Sequence, residues 1–256
     1  MQVGFFDSGI GGLTVLYDSL RLLPELEYLY YADIENVPYG TKSKELVKEY
    51  IFTAVDFIIK QGVDALLLAC NTATSIAVRE LRSKYQIPII GMEPAVKPAI
   101  RNTKEKRVLV LATPLTLKED KYEDLVSRVD QNHIVDSLPL PGLVEFAENY
   151  EFHNPAVEAY LRKELAVFDL DKYGTIVLGC THFLYFKKIF REILPAGIEI
   201  IDGNEGTIRH LAKTLQVPLA GEGARPLDLL PGQVSLYLSG EKGDKELIEK
   251  YFAILA

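Results

Sequence analysis

The chain has 256 residues, 48% of them hydrophobic and 25% charged, a size that buries one large core or two modest ones in an ordinary globular composition. A formal net charge of −8 argues against nucleic acid or an anionic membrane as main partner, since both select basic surface. No apolar run approaches the about 18 residues of a membrane span, and MQVGFF reaches Asp7 with no basic region before it, unlike a signal peptide.

Strand-like and helix-like patterns alternate along the chain. VGFF (3–6), YLYYA (28–32), DALLLA (64–69) and IPII (87–90) are short β-type runs. Between them, 43–62 predicts a helix that starts on the N-capping Ser43, stops at Gly62 and repeats apolar residues at Leu46, Val47, Tyr50, Ala54 and Phe57. RVLVLA (107–112), NHIVDS (132–137), TIVLG (175–179) and IEII (198–201) are the strands of the second half. A helix over 154–168 has Asn154 as cap and Pro155 in its first turn. Such alternation means α/β architecture with parallel sheets covered on both faces.

The two halves superpose as sequences. VGFFDS lies on VLVLAT through Asp7 and Thr113, LLLACNTA on IVLGCTHF through Cys70 and Cys180, and IPIIG on IEIID, in one order at nearly constant separation. Two copies of one α/β unit are expected. After 215 the pattern breaks: 217–233 reads as a loop, and 234–255 as a final strand and helix that return to the first unit. The expected domains are 1–95 plus 210–256, and 96–209, with boundaries near 92–98 and 205–216.

Ligands of open parallel sheets bind beyond the carboxyl ends of the strands. There the sequence places DSGIGG (7–12), NVPYG (36–40), CNTATS (70–75), ATPLT (112–116), PLPGLVE (139–145) and CTH (180–182). The glycine-rich turn lacks the third glycine of a dinucleotide loop, having Thr14 there. Gly9, Gly11 and Gly12 are expected to serve a tight turn needing positive φ. The helix starts would hold a small anion such as a carboxylate on main-chain N–H groups.

A buried cysteine alone is usually a small hydrophobe. Two in matched strand-to-helix turns suggest a reactive pair, because a helix N-terminus lowers a thiol pKa and favours the thiolate. With only two cysteines and no export signal a reducing cytoplasm is expected, where a disulfide has little motive. Zinc is disfavoured: there is no C-x2-C pair, and His133, His153 and His210 lie away from the strand ends. Asp7, Glu145 and His182 are the titratable neighbours. Asp7 is a helix cap or an active carboxylate, and His182 a core histidine or an ion-pair partner and proton relay.

FFDSGIGGLTVL, NVPYG, ACNTATS and LGCTHFLY, in this order over about residues 3–216, together resemble the bacterial glutamate racemases. The resemblance implies two Rossmann-like domains with the active site in the cleft between them, a homodimer, and interconversion of L- and D-glutamate without a cofactor to supply peptidoglycan synthesis. It further implies that Cys70 handles the α-proton of D-glutamate and Cys180 that of L-glutamate. Asp7 would support Cys70 and His182 would support Cys180, with Glu145 close by. Asp7, Ser8, Tyr39, Gly40, Asn71, Thr72, Thr181 and His182 would hold the substrate.

The residues suit that chemistry on their own terms. Inverting an α-carbon removes a proton on one face and returns one on the other, and two thiols can each serve as base or acid. No lysine stands at a matched strand end to hold pyridoxal phosphate. An aspartate or hydantoin racemase would keep the thiol pair and differ in side-chain choice. A redox or binding module would only pair the cysteines.

Overall fold

The computed structural model describes residues 1–103, 106–221 and 232–255. Two sheets carry the chain. The first has the order β10-β9-β2-β1-β3-β4, built from β1 (Gln2–Asp7), β2 (Glu27–Ala32), β3 (Ala65–Leu68), β4 (Ile89–Gly91), β9 (Val234–Leu238) and β10 (Glu241–Lys242). The second has the order β6-β5-β7-β8, from β5 (Arg107–Ala112), β6 (Val135–Pro139), β7 (Tyr173–Leu178) and β8 (Glu199–Asp202). Every pair is parallel except β9 with β10. The α/β class and the parallel sheets expected from the alternating pattern are therefore observed.

The helices of the first half are α1 (Leu13–Leu22), α2 (Lys44–Lys60) and α3 (Asn71–Lys84). Then come α4 (Val96–Asn102), α5 (Pro114–Lys118), α6 (Asp120–Val129), α7 (Pro141–Glu148), α8 (Pro155–Leu165), α9 (Lys187–Ile193), α10 (Asn204–Leu215) and α11 (Glu246–Leu255). The capping signals act as read. Ser43 accepts a hydrogen bond from Leu46 N–H at the start of α2, Gly62 takes φ +82° just after it, and Asn154 accepts from Ala156 N–H at the start of α8.

Strand β6 begins later than the sequence suggests. The Asp130 carboxylate accepts from the N–H groups of Ile134 and Val135, and His133 takes φ +53°, so the residues before Val135 form a turn. The tail also holds an unforeseen hairpin, in which Ser239 (φ +46°) and Gly240 (φ +94°) fold β10 back on β9. Strand β9 pairs with β2, Tyr28 opposite Val234, and so lies in the first sheet. Of the stretch read as a loop, 217–233, residues 222–231 lie outside the described residues.

Alternation along the strands divides the core. Val3 and Phe5 of β1 join a cluster that runs on through Leu109, Leu111, Ile176 and Leu178 of the second sheet, while Phe6 packs with Ile51, Val55 and Ile58 of α2. One apolar core thus joins both sheets. Helix α11 bridges them as well: Phe252 meets Tyr17 of α1, and Tyr251 meets Tyr150 and Phe152.

Gly4, in the middle of β1, lets α2 lie close to the sheet, since a Cβ there would sit 2.5 Å from Ile58 Cγ2. Gly4→Ala should destabilise the protein by about 1–3 kcal/mol through overpacking, seen as a lower denaturation midpoint with an unchanged m-value.

Candidate active site

Strand β3 ends at Leu68 and α3 begins at Asn71, so Cys70 occupies the N-cap. Its sulfur accepts from Ala73 N–H at 3.4 Å and faces Ser8 Oγ at 3.7 Å. Strand β7 ends at Leu178, and Cys180 precedes a 3-10 stretch over Thr181–Phe186. The Cys180 side chain caps nothing; its sulfur instead lies 3.7 Å from His182 Nδ1. The matched turns seen in the sequence are therefore alike in position and unlike in construction, because His182 claims the second sulfur. Both thiols are free and 6% exposed.

The two cysteines line one small cavity. Ser8 follows β1, Tyr39 and Gly40 open a 3-10 turn over Tyr39–Thr41, and Asn71 and Thr72 start α3. Thr181 and His182 approach from the second half, joined by Thr113 and Val144. The first N–H groups of each helical turn lack partners within it, and three such starts border this space. Thr72, Thr113 and Thr116 form a closed triangle of hydroxyls with edges of 2.9, 3.1 and 2.8 Å.

Asp7 lies beneath the cavity, not in its lining. Its Oδ1 accepts from Gly9 N–H at 2.9 Å and its Oδ2 from the Thr181 hydroxyl at 3.3 Å, which joins the halves. It therefore braces the turn after β1 and caps no helix. Burial drives its carboxyl up from 3.8 to about 6, against the pull of the His182 cation. Burial likewise pushes the Cys70 thiol up to about 12, helped by the Asp7 carboxylate. The helix start was expected to favour a thiolate there; the Ala73 N–H does pull that way, but burial outweighs it. Burial also opposes charge on His182, yet its hydrogen bonds to Cys180 and Glu148 hold its pKa well above 6.5. A thiolate at Cys180 thus meets an imidazolium, whereas one at Cys70 meets a carboxylate.

Set beside known proteins, residues 17–211 match the family described as Asp/Glu/Hydantoin racemase. The chain belongs to that racemase family. It is 54% identical to the glutamate racemase of Halothermothrix orenii, covering 100% of this chain and 99% of that one. It is 52% identical to glutamate racemase 2 of Bacillus subtilis, over 98% of this chain and 94% of the relative. Among solved structures it is similar to Escherichia coli glutamate racemase in complex with L-glutamate and an activator, UDP-MurNAc-Ala. That match has a TM-score of 0.79 and 28% identity, covering 95% of this chain and 99% of the other.

In the racemase, Glu145 does not take the place expected of it. It lies exposed on α7, and the carboxylate beside His182 belongs to Glu148, one turn further along. Glu148 Oε1 accepts from His182 Nε2 at 2.6 Å and from Ile10 N–H at 2.9 Å. The segment after β6 is helical, so the acid that reaches the histidine is set by the last turn of α7 rather than by nearness to the strand end. The glycines are also needed for another reason than positive φ, which none of Gly9, Gly11 and Gly12 adopts. A Cβ on Gly9 would overlap the Glu148 carboxylate, and one on Gly11 would overlap the His182 ring and the Thr181 hydroxyl. Gly9 and Gly11 are bare because the racemase closes its second half over them, and Gly12 because Asp7, Tyr30 and Ala69 of its own half crowd it. Thr113, set at a strand end by its alignment with Asp7 but not among the expected site residues, also lines the cavity.

Proposed function

We propose that this racemase interconverts L- and D-glutamate without a cofactor, using Cys70 and Cys180 as paired acid and base on opposite faces of the α-carbon. The observation that carries this reading is the pair of free thiols lining one cavity, Cys180 beside His182 and Cys70 at the start of α3, where burial pushes its pKa up. The glutamate racemases at 54% and 52% identity supply the substrate. As the base takes the α-proton, the C–H electron pair stays on carbon and spreads into the carboxylate; the opposing thiol then delivers its proton to the other face. Each turnover leaves the thiols with exchanged protonation states, and a proton must return before the next in the same direction. Starting with Cys70 protonated, the enzyme is set for L-glutamate, with Cys180 as base.

Positioned proton transfer supplies about 10²–10⁴-fold, so the N–H groups at the three helical starts and the dry cavity carry the remainder by stabilising charge on the carboxylate. His182, bridged between Cys180 and Glu148, supports the base. Asp7 supports Cys70 through the turn it braces. The D-glutamate formed would supply peptidoglycan in the cytoplasm, and the working form would be a homodimer. Among the described residues, no helix is long and apolar enough to cross a membrane.

Early-time NMR in D2O tests the division of labour. The first product formed from either enantiomer should carry deuterium at the α-carbon while unreacted substrate remains protonated. Substantial unlabelled product would mean one base serves both faces. Activity should also survive dialysis and EDTA; loss restored by a divalent metal would overturn the thiol-pair mechanism.

A further inference from the structure

Tyr39 lines the substrate cavity, but its hydroxyl points elsewhere. It donates to Asp33 Oδ2 at 2.5 Å, and its ring packs between Phe6 and Tyr50. Asp33 follows β2, is 3% exposed, and is absent from the cavity lining. Its N–H donates to the Asp7 carbonyl at 3.1 Å, joining the ends of β1 and β2. Its carboxylate also accepts from Asn36 Nδ2 at 3.0 Å on both oxygens and from Ser239 Oγ at 3.2 Å. Ser239 belongs to the β9–β10 hairpin, and its Oγ accepts from Glu35 N–H at 3.1 Å. One buried carboxylate therefore gathers the 36–39 loop and the C-terminal hairpin.

A phenol already donating to a carboxylate has no hydrogen left for a substrate. What Tyr39 and Gly40 still offer the cavity are the first two N–H groups of their 3-10 turn, which have no partner within it. Thr113 presses on the same turn, since a Cβ on Gly40 would lie 2.5 Å from its Cβ. The turn is thus held on one side by Asp33 and on the other by the second half of the molecule.

We propose that Asp33 is a positioning residue for the Tyr39–Gly40 wall of the substrate cavity: it takes the Tyr39 hydroxyl so that main-chain N–H groups face the substrate, and Ser239 ties the C-terminal hairpin to the same carboxylate. This rests on the glutamate racemase reading above, and a wild-type protein that fails to racemise glutamate would overturn that reading before any variant is made.

The test is a double-mutant cycle on glutamate. Asp33→Ala and Tyr39→Phe should each raise KM about fivefold with kcat changed less than about twofold, and the double variant should be no worse than the worse single one. Asp33→Asn should recover part of the loss, because its amide oxygen still accepts from the phenol. Ser239→Ala, remote from the cavity, should raise KM about twofold with the same sparing of kcat. Effects of Asp33→Ala and Tyr39→Phe that multiply would mean that the phenol binds substrate independently, and would overturn the assignment. If Asp33→Ala does not fold, a wild-type KM in both Tyr39→Phe and Ser239→Ala overturns it equally.

Discussion

Replacing either Cys70 or Cys180 by serine should lower kcat/KM about 10²–10⁴-fold, the range of positioned proton transfer. The equilibrium constant between two enantiomers is one, so kcat/KM is the same in both directions and each substitution must depress both equally. Rates alone cannot then assign a thiol to a face; isotope exchange can. With Cys180 replaced, Cys70 should still exchange the α-proton of D-glutamate with solvent without inverting it, and with Cys70 replaced the same should hold for L-glutamate. Mass spectrometry of each enantiomer in D2O checks this. A single-serine variant that inverts at near wild-type rate would end the two-thiol mechanism.

The second large effect concerns Asp7. Its carboxyl lies at about 6 in the folded protein against 3.8 as the ordinary value, so the folded state holds the proton more tightly. That contribution to stability is fully present below about 3.8 and is lost as pH rises through about 6. Above pH 6 the buried charge costs about 3 kcal/mol as an upper figure. Asn keeps the acceptor for Gly9 N–H and can donate to Thr181 Oγ, so Asp7→Asn should stabilise the protein by about 1–3 kcal/mol at pH 8. At pH 4 the gain should nearly vanish, while racemisation falls at every pH. Urea unfolding at both pH values measures it. A variant less stable than wild type at pH 8 would show that the carboxylate is better solvated than its burial indicates.

Much of this site can be read from the sequence because strand ends are visible in it. Apolar runs stop at Asp7, Cys70 and Cys180, and a parallel sheet brings such ends to one edge. What sequence did not reveal depends on residues far apart meeting. The Gly9–Gly12 turn resembles a conformational device, and only Glu148 pressing on Gly9 and His182 on Gly11 show why a side chain is barred there. Glu145 is nearer the strand end than Glu148, and only the helix after Pro141 decides between them. The charge at Cys70 follows a local rule until burial, a property of the closed molecule, reverses it. Strand β9 joining β2 could be guessed only from an unpaired pattern, and the hairpin that carries Ser239 to Asp33 left no periodic trace.

The burial of both sulfurs makes the enzyme its own chemical clock. An alkylating reagent such as iodoacetamide needs an accessible thiolate, and with each cysteine 6% exposed it must wait for the halves to part. Parting breaks the contacts of Glu148 with Ile10 and of Thr181 with Asp7. The modification rate at low reagent therefore counts how much of the time the molecule stands open, and saturating glutamate should slow it by the factor with which the substrate favours closure. The same shielding keeps oxidants from the thiols for as long as the halves stay closed.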